Sequence, residues 1–317
     1  MRRVLRAAVR RTRRGLRVAA VRLGGLPHSE GTVDSPPDYV AHDITGLWIR
    51  NWTSSERIVD PSASEVVNLT THGERLRDVW VAIESVGRGT ALPGRIILWL
   101  DTPSRLPGSL RRLRRRGLEI SHTAPGNGVH TKYWPYVSTQ PLHRPLVLCD
   151  DDIIYPPTWL AGLRRRYEES DGRTVIAYRT HTMTMLSPQD FAPYTSWPPG
   201  RGEAPSYCHF ATTVSGQLLP PYLQGVVRGE GTAFLDLSPT NDDIWLHRCA
   251  VAAAVPTAQV AEHPQHWFFI PGSQTSGLNA VNVHGGANDV QFAAVHTPVT
   301  RGRIWACADQ HGTRGAV

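Results

Sequence analysis

The sequence predicts an α/β fold, a mixed and mainly parallel sheet flanked by helices, on three observations. Short, largely apolar stretches at residues 66–69 (interrupted by Asn68), 96–100 and 146–149 read as strands, and the unbroken run 146–149 has the pattern of a strand buried on both faces. Between the first two, Leu76, Val79, Trp80 and Ile83 share one face of a helical stretch, which makes residues 66–100 a βαβ unit with a right-handed crossover. The third run stops at three consecutive carboxylates, Asp150, Asp151 and Asp152. In an open α/β sheet the ligand crevice lies beyond the carboxyl ends of the strands.

Residues 1–63 read as a basic tail and linker. Nine arginines and no acid occupy the first 22 positions, so the formal charge of +7 belongs to the tail, and the remainder carries 7 − 9 = −2. Val4, Leu5, Ala8, Val9 and Leu16 recur at helical spacing. A basic amphipathic helix on an anionic membrane surface and a frayed extension are both open readings. No aromatic side chain stands among the arginines to stack on a base, so no nucleic-acid partner is expected. Arg17 and Arg22 interrupt the only candidate signal-peptide core, and no window is apolar enough to span a bilayer. The four cysteines lack metal or redox spacing, which points to reduced thiols, a cytoplasmic chain and at most peripheral attachment to the inner membrane face. The Gly/Pro/Ser-rich residues 24–63 read as a linker with little structure.

Residues 64–255 read as the catalytic body. Pro93 and Gly94 turn into the second strand, which ends at Asp101. A helix over 110–116 carries five arginines on a solvated face and is closed by Gly117. A third strand covers 118–121, a helix 159–168 and a fifth strand 174–178. Residues 181–232 show little periodicity and read as an irregular insertion forming the acceptor side. Residues 232–237 return to strand character. A helix then begins near Asp242 and Asp243, capped by Thr240 or Asn241. Residues 256–317 read as an extension packing on this body, with an edge strand at 258–261.

The acids carry the chemistry. On an extended segment Asp150 and Asp152 point together while Asp151 points away. Two converging carboxylates suit Mg²⁺ or Mn²⁺, and Pro156, Pro157 and Thr158 already supply the next helix start, so three adjacent like charges have no structural need. Lys132 is the only lysine among 34 basic residues, and a general bias toward arginine leaves that exception unexplained. No GxGxxG loop follows the first strand and no GxxxxGK[ST] sequence occurs, which argues against nicotinamide dehydrogenases and P-loop NTPases.

The aspartate stretch resembles the DxD motif of nucleotide-sugar-dependent glycosyltransferases with the GT-A fold. The segments 66–71, 95–101, 117–120, 130–133 and 240–246 follow the order of family-2-like bacterial members. The resemblance spans residues 64–250. It implies a GT-A-like, Rossmann-related domain that moves a sugar from a nucleotide-sugar donor to a hydroxyl acceptor (glycan, lipid-linked or small molecule) in cell-envelope or surface polysaccharide synthesis. It implies metal ligands at Asp150 and Asp152, with a C-terminal histidine, His284 or His296, as a third. Thr70, Thr71 and Asp101 resemble residues that hold the nucleoside, Lys132 resembles the basic residue facing the diphosphate, and Asp151 falls within the same donor-binding motif. Asp242-Asp243-Ile-Trp-Leu246 resembles the acidic pattern whose second member takes the acceptor proton, which selects Asp243 and implies an inverting hexosyltransferase; the usual downstream basic-aromatic pair is absent. A sugar-1-phosphate nucleotidyltransferase and an inactive nucleotide-sugar-binding module are the alternatives.

Overall fold

The computed structural model describes residues 37–310 apart from 277 and 279; the Arg-rich tail and its expected amphipathic helix lie outside the described residues. Seven strands form one sheet. They are β1 (Val66–Thr70), β2 (Arg95–Leu100), β3 (Leu118–His122), β4 (Leu146–Leu148), β5 (Val175–Ala177), β8 (Gln217–Leu219) and β9 (Thr257–Gln259). Their order is β3-β2-β1-β4-β8-β5-β9, and a separate two-stranded ribbon pairs β6 (Thr180–Thr182) with β7 (His209–Ala211). Only β8 runs against its neighbours, with Leu148 opposite Gln217 and Ile176 opposite Leu218. The fold is therefore a mixed, mainly parallel α/β sheet, and the carboxyl ends of β1 to β5 and β9 open on one edge.

The two-residue period of the strands sorts their side chains onto two covered faces. Val67, Leu69, Leu98, Val147 and Ile176 meet three helices, α2 (Trp80–Gly87), α3 (Gly108–Arg115) and α5 (Trp159–Glu169). Val66, Ile97, Trp99, Leu148 and Leu219 meet the other face. That face is covered by α4 (Trp134–Thr139), α6 (Pro221–Gly229), a helical turn α7 (Phe234–Leu237), α8 (Asp242–Ala252), α9 (Ala287–Val295) and α10 (Pro298–Gln310). Burial on both sides explains why these strands are mainly apolar, each buried aliphatic side chain contributing about 1.5–3 kcal/mol.

Three parts of the sequence reading are corrected. Residues 24–63 are not all linker: Pro37–Thr53 is a helix, α1, started by a proline at its first position and docked by Leu47. Polar contacts clamp it. The fully buried Glu84 of α2 accepts from Asn51 at 3.0 Å and pairs with Arg50 at 3.0 Å and Arg116 at 2.8 Å. Arg116 is thus a buried counter-ion, unlike the solvated arginines expected around it. Residues 232–237 form turns and α7 instead of a strand, because Phe234 is drawn inward to stack on His130 with ring centroids 4.2 Å apart. The insertion 181–232 is not wholly irregular either, since it supplies β8 to the middle of the sheet.

Candidate active site

The strand ends deliver the site. Beyond β4 the chain turns at Asp151 and Asp152, so the expected alternation fails. Asp151 and Asp152 instead converge on Arg75, whose Nη1 lies 2.9 Å from Asp151 Oδ1 and 3.1 Å from Asp152 Oδ2. Arg75 stands in the 3₁₀ turn Gly73–Arg77 that follows β1, and Thr71 of the same loop donates its hydroxyl to Asp151 Oδ2. Residues 266–276 strap the turn from outside. Ile270 N–H donates to the Asp152 carbonyl at 2.6 Å, Gln274 Nε2 donates to Asp152 Oδ2 at 2.7 Å, and Arg75 Nη2 reaches the Ser273 carbonyl. Burial, then repulsion from Asp150 and Asp151, pushes the Asp152 carboxyl up to about 7.

Asp150 faces the other way. Its Oδ1 accepts from Lys132 Nζ at 2.6 Å, and its side chain, 27% exposed, is the most open of the three. Lys132 ends the 3₁₀ turn Gly128–Lys132 and is 7% exposed. Its other contacts are Thr213 Oγ1 at 2.7 Å and Asp242 Oδ2 at 3.0 Å. Burial disfavours the ammonium, yet Asp150, Asp242 and Asp243 together hold its pKa well above the ordinary lysine value.

Asp242 and Asp243 open α8, whose N-terminus lies at this edge; Asn241 caps it by accepting from Ile244 N–H at 3.1 Å. The positive end of the helix dipole favours both acids there. Asp243 Oδ1 accepts from the Thr213 amide at 2.9 Å, and burial followed by repulsion from Asp242 raises its carboxyl to about 8. Sequence placed only one of the pair at the site. The structure brings in both, Asp242 as partner of Lys132 and Asp243 beside the loop that precedes β8.

That loop depends on Gly216. Its φ of 99° lies in the left-handed region, and a Cβ there would meet Trp159 Nε1 at 2.4 Å. The turn lets the Ser215 carbonyl accept from Trp159 Nε1 and the Val214 carbonyl accept from Tyr155 Oη, whose oxygen accepts in turn from the Asp150 amide at 2.9 Å.

The remaining predicted residues lie outside this cluster of contacts. Thr70 spends its hydroxyl on the Trp99 carbonyl at 3.0 Å, and Asp101, half-buried past the end of β2, accepts from Thr102 at 3.1 Å. His284 is exposed on the π-helical turn Ala280–His284. His296 is buried against Phe292 and bonded to Thr300, with burial holding its pKa far below the ordinary value. Among the described residues no group of three or more His, Cys, Asp or Glu side chains is placed to hold a metal ion.

Arg75, Thr213, Gln274 and Arg179 went unnoticed in the sequence. Arg179 follows β5 at the same edge, and among the described residues its guanidinium has no hydrogen bond or ion pair. It acts electrostatically on His181, Tyr194 and His266. Burial first, then Arg179, lowers His266 to about 4, so the site's neighbouring histidine is neutral. Nothing in the spacing around Arg179 distinguishes it from the other arginines of the chain.

In sum of charge, five carboxylates (Asp150, Asp151, Asp152, Asp242 and Asp243) share two paired cations, Arg75 and Lys132. Such a surplus at a strand-end crevice can hold a cation, bind an amine or take up protons.

Neither a protein-family model nor a curated protein matches the chain. Among solved structures it is similar to the crystal structure of GalNAc-T7 with UDP, GalNAc and Mn²⁺, with a TM-score of 0.43 and 10% sequence identity. The match covers 92% of this chain and 66% of that one, so this chain spans just under two thirds of the other's length.

Proposed function

We propose that this protein is a GT-A-type glycosyltransferase that moves a sugar from a nucleotide-sugar to an acceptor hydroxyl and requires Mn²⁺ or Mg²⁺. The observation that carries this reading is the surplus of five carboxylates over two cations at the carboxyl edge of a mainly parallel sheet. The residues fit a divalent cation in charge. Asp152 is crowded enough to be pushed up to about 7, and Asp150 Oδ2 has no protein partner among the described residues. Asp150 and Asp152 face apart here, so they would hold the ion together once Asp152 gave up Arg75, and a bound ion would supply charge neutralisation for a leaving diphosphate.

The chain's own groups do the rest. Lys132 and Arg179 flank the crevice with positive charge for the donor's phosphates. Asp243 accepts the proton of the acceptor hydroxyl as its oxygen bonds to the anomeric carbon. The carbon–oxygen bond to the diphosphate breaks with its electron pair leaving on the diphosphate, and configuration inverts. The Arg-rich N-terminus would hold the enzyme on the anionic inner face of a membrane, where envelope polysaccharide acceptors are assembled.

One observation favours a second reading, nucleotide-sugar binding without transfer: Arg75 already bridges Asp151 and Asp152. Titration of UDP- and GDP-sugars with and without Mn²⁺ separates the two. Transfer predicts Mn²⁺-dependent binding, release of nucleoside diphosphate with a glycosylated product, and loss of both in Asp152→Asn while the protein stays folded. Equal binding without metal, with no sugar leaving the donor, would reduce the protein to a binding module.

A further inference from the structure

A cleft of about 540 Å³ opens beside the ends of β2 and β3, against α4. It falls within the about 300–1,000 Å³ typical of small-ligand sites. Its walls include two indoles, Trp99 and Trp134, and a rim of His122, Asn127, Ser138 and Gln140. Among the described residues no Lys, Arg, Asp or Glu lines it, although the chain carries 34 basic and 27 acidic residues. Trp99 is 5% exposed and among the described residues its Nε1–H has no hydrogen-bond partner, an unsatisfied donor that a well-formed core does not leave without reason. Trp134 is half-buried, packed edge-on to Phe234 with centroids 5.4 Å apart.

The chemistry of the lining selects its occupant. A phosphorylated ligand needs cations and a metal ion needs carboxylates, and the cleft has neither. A lipid chain would waste the hydroxyl and amide rim, since each polar group it covered would lose its water partners. A neutral polyhydroxyl ring suits both parts, laying its C–H face on an indole while its edge hydroxyls reach Ser, Asn and Gln.

We propose that this cleft is a binding site for a neutral carbohydrate, separate from the aspartate cluster. The two lie on either side of the turn Gly128–Lys132, with Asn127 lining the cleft and Lys132 reaching Asp150. The proposal goes beyond the transferase reading and does not need it, because binding here requires no nucleotide, metal or turnover.

The test uses the full chain in EDTA, with maltose, cellobiose, chitobiose and lactose as probes, read by saturation-transfer NMR and by indole fluorescence. At least one sugar should bind saturably to the wild type and to Asp152→Asn. Its affinity should fall about tenfold or more in Trp134→Ala. Trp134 contributes to the core, so Ser138→Trp, which fills the cleft from an exposed position, is the companion variant and should weaken binding equally. Absence of saturable binding by all four sugars overturns the proposal, as does undiminished affinity in Ser138→Trp. Uridine or guanosine binding in the cleft with sugars excluded overturns it too, and would make the cleft a nucleoside site.

Discussion

Replacing Lys132 by Met tests whether the acids at the strand edge are held by a single ammonium. Lys132 donates to Asp150 and Thr213, pairs with Asp242 at 3.0 Å and is 7% exposed, so its removal leaves buried acids without their counter-ion. Removing one partner of a buried ion pair costs about 3–5 kcal/mol, because the other charge stays desolvated. The N-terminus of α8 offsets about 0.3–1 kcal/mol of that for Asp242. A net loss of about 2–4 kcal/mol corresponds to a fall of roughly 3–6 °C in melting temperature for a chain of this size. The loss should depend on pH. Lys132 is the leading influence holding Asp243 down against burial and Asp242, so its removal lifts a carboxyl already at about 8. A carboxyl whose folded pKa exceeds its unfolded value keeps a proton in the folded state that the unfolded chain has released, so stability falls as pH rises between the two values. Below about pH 8 Asp243 keeps its proton in both proteins, so its share of the variant's deficit should be small from about pH 5 to 7 and should widen as pH rises toward about 9 to 10, where only the wild type's Asp243 ionises, and Lys132→Met/Asp242→Asn should recover part of the deficit. Calorimetric scans across that range decide the matter. A deficit independent of pH, or a double variant no more stable than the single one, refutes the counter-ion role.

Four further variants have expected outcomes. Asp243→Asn should transfer sugar about 10²- to 10⁴-fold more slowly with donor affinity intact; in the wild type, transfer should rise with pH through about 8 as the base loses its proton, a limb the variant should lack. Asp242→Asn, by contrast, removes a partner of Lys132 but leaves the base in place and should lose little activity, so equal loss of catalysis in both variants would sink the division of labour. Arg179→Gln should leave stability within about 0.5 kcal/mol of the wild type while weakening nucleoside diphosphate binding about tenfold, measured by titration calorimetry; unchanged affinity would remove it from the donor site. Deleting residues 1–23 should reduce sedimentation with anionic vesicles, less so at high salt, and preserve turnover on a soluble acceptor; equal sedimentation of both forms would end the membrane reading.

The parallel half of the sheet was legible because β1, β2 and β4 are buried on both faces and so are mainly apolar, with Asn68 the buried polar exception in β1. β8 escaped notice for a physical reason: three residues, Gln217–Leu219, are too few to show a period, and their place between β4 and β5 is set by partners some 70 and 40 positions away. The acids were legible as a cluster, but their directions were not. Alternation holds only along an extended chain, and the chain turns at Asp151, where an arginine 76 positions upstream gathers two of the three. Arg75 and Gln274 gave no local signal because their roles come from tertiary contact with Asp151 and Asp152 alone.

The antiparallel β8 also sets an order of assembly. β4 emerges from synthesis with one side paired to β1, while its other neighbour arrives only after residue 217. The strand that completes the sheet's centre carries the loop that receives Lys132 and Asp243, and the strap over Asp152 follows more than fifty residues later still. A nascent chain halted before Gln274 therefore holds a crowd of carboxylates without its full set of partners, and β4 exposes an unpaired edge until β8 docks. Long-range closure of this kind slows folding and prolongs exposure of aggregation-prone edges. The segment from Gly216 to Leu219 is accordingly where a mutation would act on yield of folded protein before it acted on the reaction.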